Sequence, residues 1–189
     1  MRARAFWFQS LAIALIMALT SASRAESVLE LLLMGYDTYD LPSRSMEPLI
    51  PAGSTILADP LRCANAEECE LTYGDILVFD VGEDGEQDLW IKSLVGLPGD
   101  LVAVHADGAV DVTSATDGVV HRHCQDEGVK GDERDVLLAD GELFFLGMNC
   151  PRSRDSRSVH IGAVHVSRIV CRALYRLDGF DFVPLHEAP

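Results

Sequence analysis

Leu41-Pro42-Ser43-Arg44-Ser45-Met46-Glu47-Pro48-Leu49-Ile50-Pro51-Ala52-Gly53-Ser54 is the stretch around which the rest of the chain is organised. Its three prolines fall within the ten residues 42–51. They exclude a helix, because each fixes φ and removes a backbone donor. Ser43 and Ser45 stand in this stiff turn with one residue between them, and the β-prone run Thr55-Ile56-Leu57-Ala58 comes directly after it. The turn thus presents Ser45 at the edge of a strand, as a nucleophile would be presented. Without a partner base, the same residues describe an ordinary Pro/Ser loop on a β domain.

A second stretch supplies a candidate base: Trp90-Ile91-Lys92-Ser93-Leu94-Val95-Gly96-Leu97-Pro98-Gly99-Asp100. In a strand successive side chains alternate faces, so Lys92 shares one with Trp90 and Leu94. Burying an ammonium is costly, and losing the proton relieves that cost. A free lysine titrates near ~10.4, and full burial lowers this by about 3–5 units. An amine so shifted serves as a general base near neutral pH. On a solvent-facing strand, the residue would be a surface lysine and nothing more.

Taken together, four stretches resemble the boxes of the type I signal peptidases. Ser45-Met46-Glu47-Pro48 resembles the Ser-Met-x-Pro box. Tyr73-Gly74-Asp75-Ile76-Leu77-Val78-Phe79 resembles the Gly-Asp-Ile-Val box. Lys92 to Asp100 resembles the Lys-Arg-Val-x-Gly-x-Pro-Gly-Asp box. Gly147-Met148-Asn149-Cys150-Pro151-Arg152-Ser153-Arg154-Asp155-Ser156-Arg157 resembles the Gly-Asp-Asn box that ends in Ser-x-Asp-Ser-Arg. They occur in the family's order between Leu41 and Val170.

The resemblance implies a mainly β, signal-peptidase-type fold with a small inserted lobe, preceded by an N-terminal hydrophobic helix. It implies a serine endopeptidase that removes signal peptides from exported preproteins through a Ser/Lys acyl-enzyme mechanism. Ser45 would be the nucleophile and Lys92 the base. Ser43 would donate to the oxyanion together with the Ser45 amide, and Ser153 would orient the lysine. Asp155 and Arg157 would pair as support. No cofactor or metal is implied. The expected partners are signal peptides with small residues before the cut, and the membrane surface, met by a monomer whose catalytic domain lies on the extracytoplasmic, periplasmic side. His160 and His165 lie in or near the matched stretches and are given no role.

Of 189 residues, 30 are acidic and 15 basic, a formal net charge of −15. Nucleic acid is excluded as a partner, since it demands a basic footprint. Met1-Arg2-Ala3-Arg4 is basic, and Ala5 to Ser23 carries no charge. Residues 1–25 read either as a membrane anchor, the uncharged run being just long enough to cross a ~30 Å hydrocarbon core, or as a cleavable export signal. Both place the remainder of the chain outside the cytoplasm. Glu26 to Gly35 reads as a short helix with a broad apolar face, lying on the membrane or on the core, within a juxtamembrane helix or linker, 26–40. The peptidase domain is 41–176, with the variable lobe at about 106–141 and a peripheral C-terminal tail at 177–189 carrying a Phe180/Phe182 contact. Strands are expected at Leu71–Asp80 and Leu89–Val95, as a hairpin, at Leu101–His105, Glu142–Leu146 and Ala163–Val170, and around Val119-Val120 and Val136–Leu138.

There are five cysteines. Outside the cytoplasm thiols pair. Cys63 and Cys69 flank an acidic loop and are expected to form a disulfide. Cys124–Cys150 is a pairing the spacing permits but does not derive, and an odd count leaves one thiol over. His121-Arg122-His123-Cys124 lacks the second ligand pair of a metal site.

Two departures from the family pattern stand out. Ser93 takes the place of an arginine, and Met148 that of an aspartate with which the arginine pairs. Both charges are gone together, so neither is stranded in the interior. Cys150-Pro151 also replaces an Arg-Asp and stiffens the loop before Ser153. Three other readings stay open: a processing peptidase dedicated to pilin or conjugation-type substrates, a catalytically silent binding protein of the same fold, and a self-cleaving repressor with the same dyad. The last would need an N-terminal DNA-binding unit where an apolar export segment stands.

Overall fold

Short β-branched and aromatic runs, cut by Gly and Pro turns, make strands the main regular structure of the described residues. The structure, a computed structural model, describes residues 35–83, 85–125, 130–178 and 181–185. The expected N-terminal hydrophobic helix and most of the Glu26–Gly35 helix lie outside the described residues. Among the described residues no helix is long and apolar enough to cross a membrane.

Twelve strands are described: β1 (Asp37–Leu41), β2 (Ser54–Pro60), β3 (Ile76–Asp80), β4 (Leu89–Gly96), β5 (Leu101–Val104), β6 (Val110–Thr113), β7 (Val120–His123), β8 (Arg134–Leu137), β9 (Glu142–Leu146), β10 (Val164–His165), β11 (Ile169–Asp178) and β12 (Asp181–Pro184). They form two sheets. The larger runs β1-β2-β11-β3-β4-β9-β10, with β12 paired to β11; the smaller runs β7-β6-β5-β8. The mainly β fold and the small lobe are as expected. The lobe opens at β5, before residue 106, because β5 pairs with both β6 and β8. Asp37–Asp40, expected in the linker, lie in β1, in antiparallel register with β2.

The predicted hairpin is β3–β4, with Leu77 opposite Lys92 and Phe79 opposite Trp90. Its first strand starts only at Ile76. Residues ahead of it form a turn in which Asp75 accepts from Thr72 N and pairs with Arg172. The run Ala163–Val170 is not one strand: β10 is followed by a 3-10 helix at Val166–Arg168 before β11 begins. In the C-terminal tail, β12 is the second arm of a hairpin with β11, and Phe182 meets Tyr175 edge-on at 5.7 Å. The Phe180 side of that expectation lies outside the described residues.

The alternation of β4 distributes its side chains among three apolar clusters. Ile91 joins Leu41, Met46, Ile50, Ile56 and Cys171 on one side of the large sheet. Trp90 and Leu94 join Leu77, Phe79 and Phe145 on the other, where the two phenylalanine rings stack at 4.4 Å. Val95 joins Phe144, Leu146 and the valines of the small sheet. The Gly-Leu-Pro-Gly-Asp turn after β4 joins the sheets. Gly99 has φ +90°, a region that favours glycine. Asp100 is 1% exposed and accepts from Leu97 N, Ala115 N and Tyr73 Oη. Buried carboxylates are tolerated when so satisfied, and this one fixes how the lobe leaves the main sheet.

The structure pairs Cys63 with Cys69, as expected. It also pairs Cys124, just after β7, with Cys150 in the loop after β9. Cys171 is the remaining thiol; it is buried, which pushes its pKa up to about 12 and leaves it inert.

Candidate active site

The proline-rich turn is held from inside and from its ends. Met46 and Ile50 are fully buried. Ile50 N donates to Met46 O, and Gly53 N to Leu41 O at the mouth of the β1–β2 connection. The loop after β9 closes the turn from the other side, where Asn149 N donates to Ser45 O at 2.9 Å. Gly147 packs so near that a Cβ there would lie 2.6 Å from Ser45 O and against Ser153 Oγ as well. A backbone oxygen cannot retreat as a side-chain tip can, so the position demands glycine. Asn149 and Gly147 therefore position Ser45, and their roles are invisible until the two loops are seen side by side.

Ser45 is 4% exposed and Lys92 5%. Lys92 Nζ lies 3.1 Å from Ser45 Oγ and donates to Ile91 O at 2.8 Å. Ser43 Oγ lies 3.1 Å from Ser45 Oγ. Two hydroxyls and one amine, the amine distant from both in sequence, thus meet: Ser45 and Lys92 are closed off from water, and Ser43 stands at the exposed edge. Trp90 covers the amine, with Nζ 5.3 Å from the ring centroid; the Arg154 guanidinium stacks at 5.4 Å from the same ring. Burial lowers the pKa of Lys92 from 10.5 to about 8, against a smaller upward pull from the Asp155 carboxylate.

Ser153 is in the same loop, but its hydroxyl donates to Arg154 O at 3.4 Å, and the partners of Lys92 Nζ are Ser45 and Ile91. Asp155 and Arg157 form a buried pair: the guanidinium donates to both carboxylate oxygens at 2.8 and 2.9 Å, and to Cys150 O at 2.8 Å. Asp155 also accepts from Gly147 N and Arg157 N. One carboxylate thereby organises the whole loop that backs Ser45. Asp155→Ala is expected to strand the Arg157 charge and to cost about 3–5 kcal/mol. A urea unfolding midpoint measures this, and a loss under about 1 kcal/mol would show that the pair does not hold the loop.

His160 and His165 stand apart from these groups. His165 accepts from Ser167 N, and both histidines line a groove beside Trp90. Among the described residues no group of three or more His, Cys, Asp or Glu is placed to hold a metal ion.

The family model for signal peptidase, peptidase S26, matches residues 5–177. The signal peptidase I of Bacillus licheniformis is 27% identical over 159 residues, which is 80% of this chain and 79% of that protein. The crystal structure of a signal peptidase I from Enterococcus faecalis is 24% identical, covering 52% of this chain and 92% of that one, with a TM-score of 0.38. The chain belongs to the signal peptidase family, peptidase S26. It is a serine endopeptidase of the signal peptidase I type.

Proposed function

We propose that Ser45 and Lys92 are the catalytic pair, and that the chain uses them to remove signal peptides from exported preproteins. The observation that carries this reading is the 3.1 Å separation of Ser45 Oγ and Lys92 Nζ inside a buried site. Neutral Lys92 takes the Ser45 proton as Oγ attacks the scissile carbonyl. The oxyanion is received by the Ser45 amide and the Ser43 hydroxyl, whose 3.1 Å contact with Ser45 Oγ puts it beside the reacting centre. The Lys92 ammonium then protonates the leaving amine, and an acyl group remains on Ser45. Deprotonated again, Lys92 activates the water that releases the product. Ser153, in the loop backing Ser45, is the residue proposed to orient the amine when substrate is bound. Ser–Lys chemistry of this kind calls for no cofactor.

The substrate is a signal peptide with small residues before the cut, bound as an extended strand. Support comes from β4: β9 pairs with it only over Ser93–Gly96, so among the described residues Leu89–Lys92 is paired on the β3 side alone. We place the catalytic domain, as a monomer, at the extracytoplasmic face of the membrane, behind the apolar segment at residues 5–23. A serine-directed acylating probe tests the assignment. Intact mass should rise by one acyl group, and peptide mapping should place it on Ser45. Labelling elsewhere, or equal labelling of Ser45→Ala, would remove the nucleophile from this reading.

A further inference from the structure

A cavity of about 360 Å³ opens between the two sheets, on the far side of Lys92 from Trp90 along β4. Two of its wall residues adjoin the Ser45 site. Gly147, which packs against Ser45 O, forms part of its wall, and so does Ser93, the residue after Lys92. A substrate lying across Ser45 would bring residues near the cut to this wall, since an extended chain advances only about 3.3 Å per residue.

The lining selects for an apolar guest. Leu94 and Leu146 are buried in its walls, and Met148, 47% exposed, stands at the entrance. The thioether of Met148 and the sulfurs of the Cys124–Cys150 bridge are soft, polarisable groups that favour aromatic rings. Tyr73 and His121, with ring centroids 6.1 Å apart, add an aromatic side. Among the described residues no Asp, Glu, Lys or Arg lines the cavity; Ser93 and Met148 are uncharged. The volume lies at the low end of the roughly 300–1,000 Å³ of ligand pockets, and it admits a single large side chain.

We propose that this cavity is a specificity pocket for the polypeptide substrate, taking one bulky apolar side chain, aromatic by preference, from a residue near the small residues at the cut. The proposal rests on the reading of Ser45 and Lys92 above. It would narrow the enzyme to a subset of preproteins, beyond any requirement for small residues at the cut itself.

The test uses the full chain in detergent and signal-peptide substrates with fixed small residues before the cut. Each of the three positions on either side of the cut-site motif is varied in turn among Ala, Leu, Phe and Asp. At one of them, Phe or Leu is expected to raise kcat/KM over Ala on the order of tenfold to a hundredfold, with Asp the poorest. Fluorescence anisotropy with the Ser45→Ala chain reads binding without cleavage, and its Kd values should follow the same order. Met148→Trp, which fills the mouth, and the pair Ser93→Arg with Met148→Asp, which introduces charge, should each bring the Phe-to-Ala ratio to within about twofold.

Cleavage without preference at any position would overturn the pocket and leave the catalytic pair standing. So would a preference that both variants retain. Selective binding without cleavage by the unaltered chain would support the pocket and sink the catalytic reading instead.

Discussion

Replacing either Ser45 or Lys92 by alanine is expected to lower kcat/KM for a signal-peptide substrate by at least about 10³-fold, and replacing both should cost little more. Non-additivity comes from the arrangement. The hydroxyl is a weak nucleophile unless the amine takes its proton, and the amine has nothing to activate without the hydroxyl. Lys92→Arg should not restore activity despite its similar length, since a guanidinium does not give up its proton in a protein. The measurement is peptide cleavage followed by chromatography, with circular dichroism to verify that each variant is folded. Turnover within tenfold of the unaltered chain in either single variant would dismiss the pair.

The pH dependence of kcat/KM is the second large effect. Lys92 acts as a base only when neutral, and its pKa is held down at about 8 by burial. Activity should therefore rise through pH 8 to a plateau above it. Below that point it should fall about tenfold per unit, to roughly 10⁻³ of the plateau at pH 5. The sign differs from that of a carboxylate base, whose activity would survive to far lower pH. The same shift bears on stability. The folded pKa lies below the unfolded value, so between about 8 and 10.5 the unfolded chain binds more protons, and stability increases with pH across that window. Below pH 8 the buried ammonium is a standing cost, of order ~3 kcal/mol by the relation of one pKa unit to 1.36 kcal/mol. A flat rate profile from pH 9 to pH 5 would rule out Lys92 as the base.

The loop after β9 shows why site residues differ in how far sequence discloses them. Ser45 and Lys92 announce themselves locally, one by a turn that prolines stiffen and the other by a charge inside an apolar alternating run. Asn149 and Gly147 do not. Their work is a hydrogen bond to Ser45 O and the room left beside it, and both depend on a loop more than a hundred residues away in the chain. Ser153 makes the same point in reverse. Its position in the Ser-x-Asp-Ser-Arg motif assigns it to the lysine, whereas in the folded chain its hydroxyl bonds Arg154 O.

What the sequence determined alone is whatever rests on short range. The β3–β4 hairpin is spelled out by two apolar runs and the Gly/Asp/Glu turn between them. The Cys63–Cys69 bridge spans six positions around one polar loop. Tertiary structure decided everything that required distant segments to meet. Strand β6 is four residues among glycines and aspartates, and it is a strand because β5 and β7 flank it. Cys124 and Cys150 are bridged because two sheets bring them to a Cα separation of 5.5 Å. The cavity between those sheets has no counterpart in any single stretch, since its walls come from four separate parts of the chain. Local preferences act through a few neighbouring torsions. Burial and the pairing of remote groups exist only once the whole chain has closed around them.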